Sequence, residues 1–189
     1  MFSSKEHLDK KTGSFGIGRF SFLRSLKDEY EECRDLDARK QVLANLANFA
    51  YDPINYGYIR RLKIIDLFLG ALEDNNEKIV EFSIGGLCNL ALDKENKELI
   101  LAADGVHKVI TCMSSTNQET VLSAMTTLTF LITPQSKQEI TSPAVVECMM
   151  RFSKSTNKRH SNLATVFLQD YCTKQQCVQA SELFQESGT

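Results

Sequence analysis

The chain has 189 residues, enough for one domain that buries roughly 70% of the surface its unfolded form exposes. Its 22 Lys and Arg against 24 Asp and Glu leave a net charge of −2, so no global field holds nucleic acid or an anionic membrane. The 6 Cys include no CxxC and no nearby His pair, which argues against a disulfide framework and for reduced core thiols of an intracellular protein.

Residues 1–18 are polar and carry Gly13, Gly16 and Gly18. A flexible tail is expected there, with no apolar stretch of the kind a signal peptide needs. No run anywhere approaches a membrane span. Phe20, Phe22, Leu23, Leu26 and Tyr30 then recur at helical spacing, which predicts an amphipathic helix. Asp35 to Asp37 breaks it, and an Asp there can cap the next helix. A small-residue helix follows over Ala38 to Ala50, ended by Tyr51-Asp52-Pro53, because the residue before Pro is pushed out of the α region. Asn55 to Leu62 reads as a short helix and Lys63 to Leu72 as a longer one. A polar turn then leads into a third helix over Glu77 to Ala91. The plan repeats as Asn96 to Ala103, a break at Asp104-Gly105, Val106 to Met113, a turn, and Gln118 to Ile132. It repeats again, shortened, as Ser136 to Ile140, Ala144 to Phe152 and Lys158 to Cys172. Residues 173–189 read as a weak final helix or a tail. The count is eleven helices.

Leu46, Leu87 and Leu128 are each 41 residues apart, as are Asn48 and Asn89, Asn55 and Asn96, and Asp52 and Asp93. A fixed period in the low forties marks a helical repeat array, in which no unit buries its apolar faces alone and stacking makes one continuous core. The organisation expected is a tail over 1–18, a repeat domain over 19–172, and a C-terminal tail or weak helix over 173–189.

The runs Leu46-Ala-Asn48-Phe-Ala50 and Leu87-Cys-Asn89-Leu-Ala91 fall on third helices, and Asp104-Gly105-Val106 makes a Gly-containing break between a short helix and a longer one. This pattern resembles the armadillo repeat from about residue 19 to 172. The fold class implied is all-α, an α-solenoid of armadillo-like three-helix repeats, about three full repeats plus an N-terminal partial one. Residues 42–53, 84–90 and 119–124 are similar to one small stand-alone member of that family. This similarity implies a nuclear, non-enzymatic scaffold of the minor spliceosome in pre-mRNA splicing, bound to an RNA-recognition-motif protein and meeting RNA at most indirectly. One departure stands out. Where importin-like members resemble a Trp-and-Asn ladder, this chain has Ala44, Gly85 and Thr126, and it contains 0 Trp. Binding of a nuclear-localisation peptide in the importin manner is therefore not expected.

Gln41, Asn48, Phe82, Gly85, Asn89, Thr126 and Phe130 lie on one face of successive third helices. In an armadillo-like stack that face lines the concave groove, and these seven are the candidate partner-binding residues. An Asn amide offers donor and acceptor to a peptide main chain. Gly85, Gly86 and Ala44 would let a partner backbone approach. Phe82 and Phe130 are expected to be exposed anchors. No acid lies along the stripe, which predicts a neutral or apolar partner segment. The plainer reading is that the amides bond only within the array and that the two rings are inter-repeat core.

Lys154, Lys158, Arg159 and His160, with Arg60, Arg61 and Lys63, form the alternative site, a direct RNA contact. Short charged runs at helix ends are more often solvated or suit the helix dipole, and no aromatic residue interleaves them to stack bases. A transport adaptor for basic peptides is a third reading, and the lack of groove acids counts against it. His7 belongs to the tail, and His107 reads as a surface residue. Enzyme chemistry has no Gly-rich phosphate loop, GxSxG or HExxH to rest on. Cys172 and Cys177 have no His nearby to make a nucleophile. No cofactor, metal, small-molecule substrate or membrane is expected, and the chain should act as a monomer within a complex.

Overall fold

The computed structural model describes residues 17–186, with side chains to residue 183. The tail expected over 1–18 falls outside this span up to residue 16, and His7 with it. Among the described residues every regular element is helical. A partial unit comes first, with α1 (Arg19–Glu32) and α2 (Leu36–Phe49). Unit one holds a 3₁₀ turn (Pro53–Asn55), α3 (Tyr56–Arg61), α4 (Ile64–Ala71) and α5 (Glu77–Leu90). Unit two holds α6 (Lys94–Ala102), α7 (Gly105–Cys112) and α8 (Gln118–Leu131). Unit three holds α9 (Lys137–Ile140), α10 (Pro143–Ser153) and α11 (Lys158–Tyr171), and α12 (Lys174–Glu186) follows. This is the α-solenoid that the period implied.

The third helices begin on short polar caps. Asp35 accepts from Ala38 N at 2.7 Å, Asn76 from Lys78 N at 3.1 Å, Asn117 from Glu119 N at 2.9 Å and Asn157 from Arg159 N at 3.0 Å. Each satisfies one of the orphan amides that a helix start leaves. Asp52 and Asp93 do the same where units one and two begin. Between first and second helices the chain turns through a left-handed residue, Lys63 with φ 55 and Asp104 with φ 56. Gly105 follows Asp104 because a Cβ there would stand 2.5 Å from the Ile100 carbonyl oxygen. The glycine thus serves a close approach, while the non-glycine before it takes the unusual φ.

Stacking then makes the core. α2 packs on α5, α5 on α8, and α8 on α11. Leu46, Leu87 and Leu128 are exposed by 1%, 0% and 0%. Gly86 is not a groove residue. A Cβ there would meet the Phe68 ring at 2.6 Å, so the small residue admits the aromatic ring of its own unit. Polar ties cross between units as well. Arg60 reaches Asp93 at 3.1 Å, Asn96 at 2.9 Å and Glu95 at 3.0 Å.

The helix beyond the expected eleven is α12, which packs against α10. Its start is a reciprocal capping box. Thr173 N donates to Gln176 Oε1 at 2.9 Å, and Gln176 N donates to Thr173 Oγ1 at 3.2 Å. Ala180 is fully buried, and Gln176 Nε2 donates to Thr141 Oγ1 at 3.1 Å. Among the described residues no helix is long and apolar enough to cross a membrane.

Candidate partner-binding groove

Three neighbouring third helices, α2, α5 and α8, leave a groove of about 370 Å³ between them. Its floor is Ala44, Ala47 and Gly85, its amides are Asn48 and Asn89, and its ring is Phe82. A Cβ placed on Gly85 would find no atom within 4 Å, so the floor is open at that point. Four of the seven candidate residues, Asn48, Phe82, Gly85 and Asn89, therefore meet in one place. Gln41, Thr126 and Phe130 do not line it.

The amides differ. Asn48 is exposed. Asn89 is half-buried, and its Nδ2 donates to the Ala47 carbonyl at 3.2 Å, while its own carbonyl accepts from Tyr56 Oη at 3.1 Å. One donor of Asn89 is thus spent within the array, as the plainer reading anticipated. Gln41 Nε2 donates to Asn45 Oδ1 at 3.3 Å, and Thr126 Oγ1 turns back to the Leu122 carbonyl at 2.8 Å. Phe82 and Phe130 are not exposed anchors. Both are half-buried and pack against the core.

The groove is not free of acid either. Glu81 and Glu119 line it. Neither shares the register of the seven-residue stripe, so the stripe alone does not disclose them. Glu81, with its side chain 18% exposed, takes hydrogen bonds from Lys78 Nζ and Asn117 Nδ2, both at 2.6 Å. Glu119, 55% exposed, accepts from Arg159 Nη2 at 3.1 Å. Both carboxylates already have a cation beside them.

These same bonds consume much of the basic residues. Arg159 is paired with Glu119. His160 is buried, with Nε2 2.9 Å from the Gln118 carbonyl and its ring 5.5 Å from Phe152. Arg60 is tied to unit two, and Arg61 lies 4.5 Å over the Phe20 ring. Lys63, Lys154 and Lys158 stay exposed, as does His107. The supposed phosphate-binding clusters are largely inter-repeat ties.

The thiols behave as packing groups. Burial pushes the Cys112 thiol up to about 11 and raises that of Cys88 too. Since the thiolate is the reactive form, Cys112 is expected to resist iodoacetamide in the folded chain at neutral pH and to react on unfolding in urea. Intact-protein mass spectra taken with and without urea would check this, and full labelling of Cys112 in the folded chain would contradict it. Among the described residues no group of three or more His, Cys, Asp or Glu could hold a metal ion. A wider cleft of about 570 Å³ lies elsewhere, between Pro134, Lys137, Thr141 and Gln176. It sits on one turn and the start of α12, and does not continue across the stacked third helices.

No family model matches the chain. The curated protein Armadillo repeat-containing protein 7 of Mus musculus is 52% identical over 166 residues, which cover 87% of this chain and 84% of that protein. Among solved structures, the designed armadillo repeat protein YIII(Dq)4CqI superposes with a TM-score of 0.74 at 11% identity, covering 84% of this chain and 70% of that one. A second designed armadillo repeat protein, YIII(Dq.V1)4CPAF in complex with the peptide (KR)4, gives a TM-score of 0.68 at 13% identity, covering 85% and 64%. At such identities the two designs speak for the fold alone.

Proposed function

The chain belongs to the armadillo-repeat family, and from that premise we propose that it is a non-enzymatic scaffold holding a segment of a partner protein in the groove between α2, α5 and α8. The observation that carries this is the open floor at Gly85, flanked by Asn48 and Asn89 one repeat apart. An extended main chain has unpaired donors and acceptors, which carboxamides can match on both counts. The (KR)4 complex of a designed protein with the same fold supports a peptide segment as occupant. Gln41, Thr126 and Phe130 would flank the bound segment. Phe82 and Phe130 also hold the core, so truncating either should lower stability as well as affinity.

The finer assignment follows the resemblance to armadillo repeat-containing protein 7. In it, the chain is a nuclear component of the minor spliceosome, its partner is an RNA-recognition-motif protein, and RNA is reached only through that partner. Asn48→Ala is the cleanest probe, because Asn48 is exposed. Its binding to the RNA-recognition-motif protein should weaken by about 1–2 kcal/mol, since the partner's polar groups are left unpaired. Titration calorimetry measures this. Wild-type affinity in Asn48→Ala and Asn89→Ala alike would move the interface out of the groove. A phosphate-led RNA complex would instead weaken steeply with salt.

Glu81 and Glu119 favour a second reading, an adaptor for basic peptides. The missing Trp ladder and the cations already paired with both carboxylates weigh against it.

A further inference from the structure

We infer that the segment in the groove continues over its rim at the C-terminal ends of α2 and α5, where Tyr51 and Leu92 receive two large apolar side chains set three residues apart in a polyproline-II-like stretch. The inference rests on the groove reading above and specifies the chemistry of its occupant.

Tyr51 and Leu92 are 60% and 65% exposed. Each stands directly after a buried alanine, Ala50 or Ala91, that closes its third helix. Single exposed apolar residues are ordinary. These two, however, are one period of 41 apart, and no other two large exposed apolar residues in the described span are. In the next unit the same place is Thr133, whose hydroxyl pairs with Ser136 at 2.9 Å, so the apolar strip stops at two positions.

The strip continues the groove. Asn48 and Asn89 lie three residues before Tyr51 and Leu92, in the last turn of the same helices, and both line the groove. The acids that directly follow Tyr51 and Leu92 are both engaged within the fold. Asp52 accepts from Ile54 N, and Asp93 accepts from Asn96 N and pairs with Arg60. Of the acids of the groove, Glu119 lies in the first turn of α8 and Glu81 in the N-terminal half of α5, both before the C-terminal ends that carry the rim. A neutral apolar rim beside amides suits a neutral apolar segment.

Spacing selects its conformation. Helices packed side by side lie about 8–10 Å apart. A polyproline-II chain has three residues per turn and rises about 3.1 Å per residue, so positions i and i+3 share a face roughly 9 Å apart. A β-strand would point i and i+3 to opposite faces. The polyproline-II backbone also bonds nothing internally, which leaves its amides for Asn48 and Asn89.

The test uses a phage-displayed library of random dodecapeptides, selected on the full chain. Enriched peptides are expected to carry large apolar residues at i and i+3. Synthetic copies should bind the Tyr51→Ser/Leu92→Ser variant about ten-fold more weakly, with its thermal melt unchanged. Leu92→Lys, a single exposed change, should weaken them too. Peptides that lose affinity for Asn48→Ala but bind both rim variants at wild-type strength, or that lack the i, i+3 pattern, overturn the rim and leave the groove standing. Peptides indifferent to both sets, or no enrichment at all, overturn the groove reading and the rim together.

Discussion

Leu87→Ala should lose about 2–5 kcal/mol in urea titration, the range for truncating a buried leucine whose site cannot collapse. Leu87 has 0% exposure on α5, with α2 stacked on one side and α8 on the other. Lost transfer energy and the cavity left between two rigid neighbours both add to the cost. A domain has only about 5–15 kcal/mol in total, so this one change removes a large share of it. In a stack each unit is held by its neighbours, and a wound at the centre weakens two interfaces at once. Leu92→Ala, five residues on and 65% exposed, is the matching control and should stay within about 0.5 kcal/mol of wild type. A loss at Leu87 no larger than that control would break the register on which the three third helices were aligned.

What the sequence made legible follows from what repeats. Leu46, Leu87 and Leu128 shared a spacing, and the structure buries all three. Asp52 and Asp93 shared one too, and both cap the start of a unit, Asp52 on the 3₁₀ turn and Asp93 on α6. Contacts that join unlike places were not legible. Glu119 stands one period after Lys78, not after Glu81, yet Glu81 and Glu119 face one groove. No comparison of equivalent positions discloses a lining that three helices make together. Arg60 looked like a free cation because its partners lie 33 and 36 residues ahead, in unit two. Phe82 looked exposed because its place in the helix faces the groove, whereas its ring is long enough to lean on the core. The helix α12 was left open between a weak helix and a tail for another reason. Thr173 and Gln176 form a readable capping box, but the polar composition of 173–189 masked it.

Gly85 and Gly86 are adjacent in α5, and replacing each by Ala should move stability in opposite directions. Both changes gain the same helix propensity, about 1 kcal/mol of backbone entropy and solvation. The difference between them therefore isolates packing. At Gly85 the new methyl group meets nothing within 4 Å, so the gain stands and the variant should be more stable than wild type. At Gly86 it would lie 2.6, 2.7 and 3.0 Å from three carbons of the Phe68 ring. Phe68 is fully buried, so the ring has no solvent to swing into, and overpacking of this kind costs about 1–3 kcal/mol. The two melting curves should thus separate by that amount. The groove adds a second readout. Gly85→Ala raises the floor under any bound backbone, so it should weaken the partner while strengthening the fold. Gly86→Ala should bind normally wherever it is folded. A Gly85→Ala variant that gains stability and keeps wild-type affinity would show that no backbone approaches that floor. If instead Gly86→Ala proved as stable as Gly85→Ala, the packing of Phe68 over α5 would be wrong.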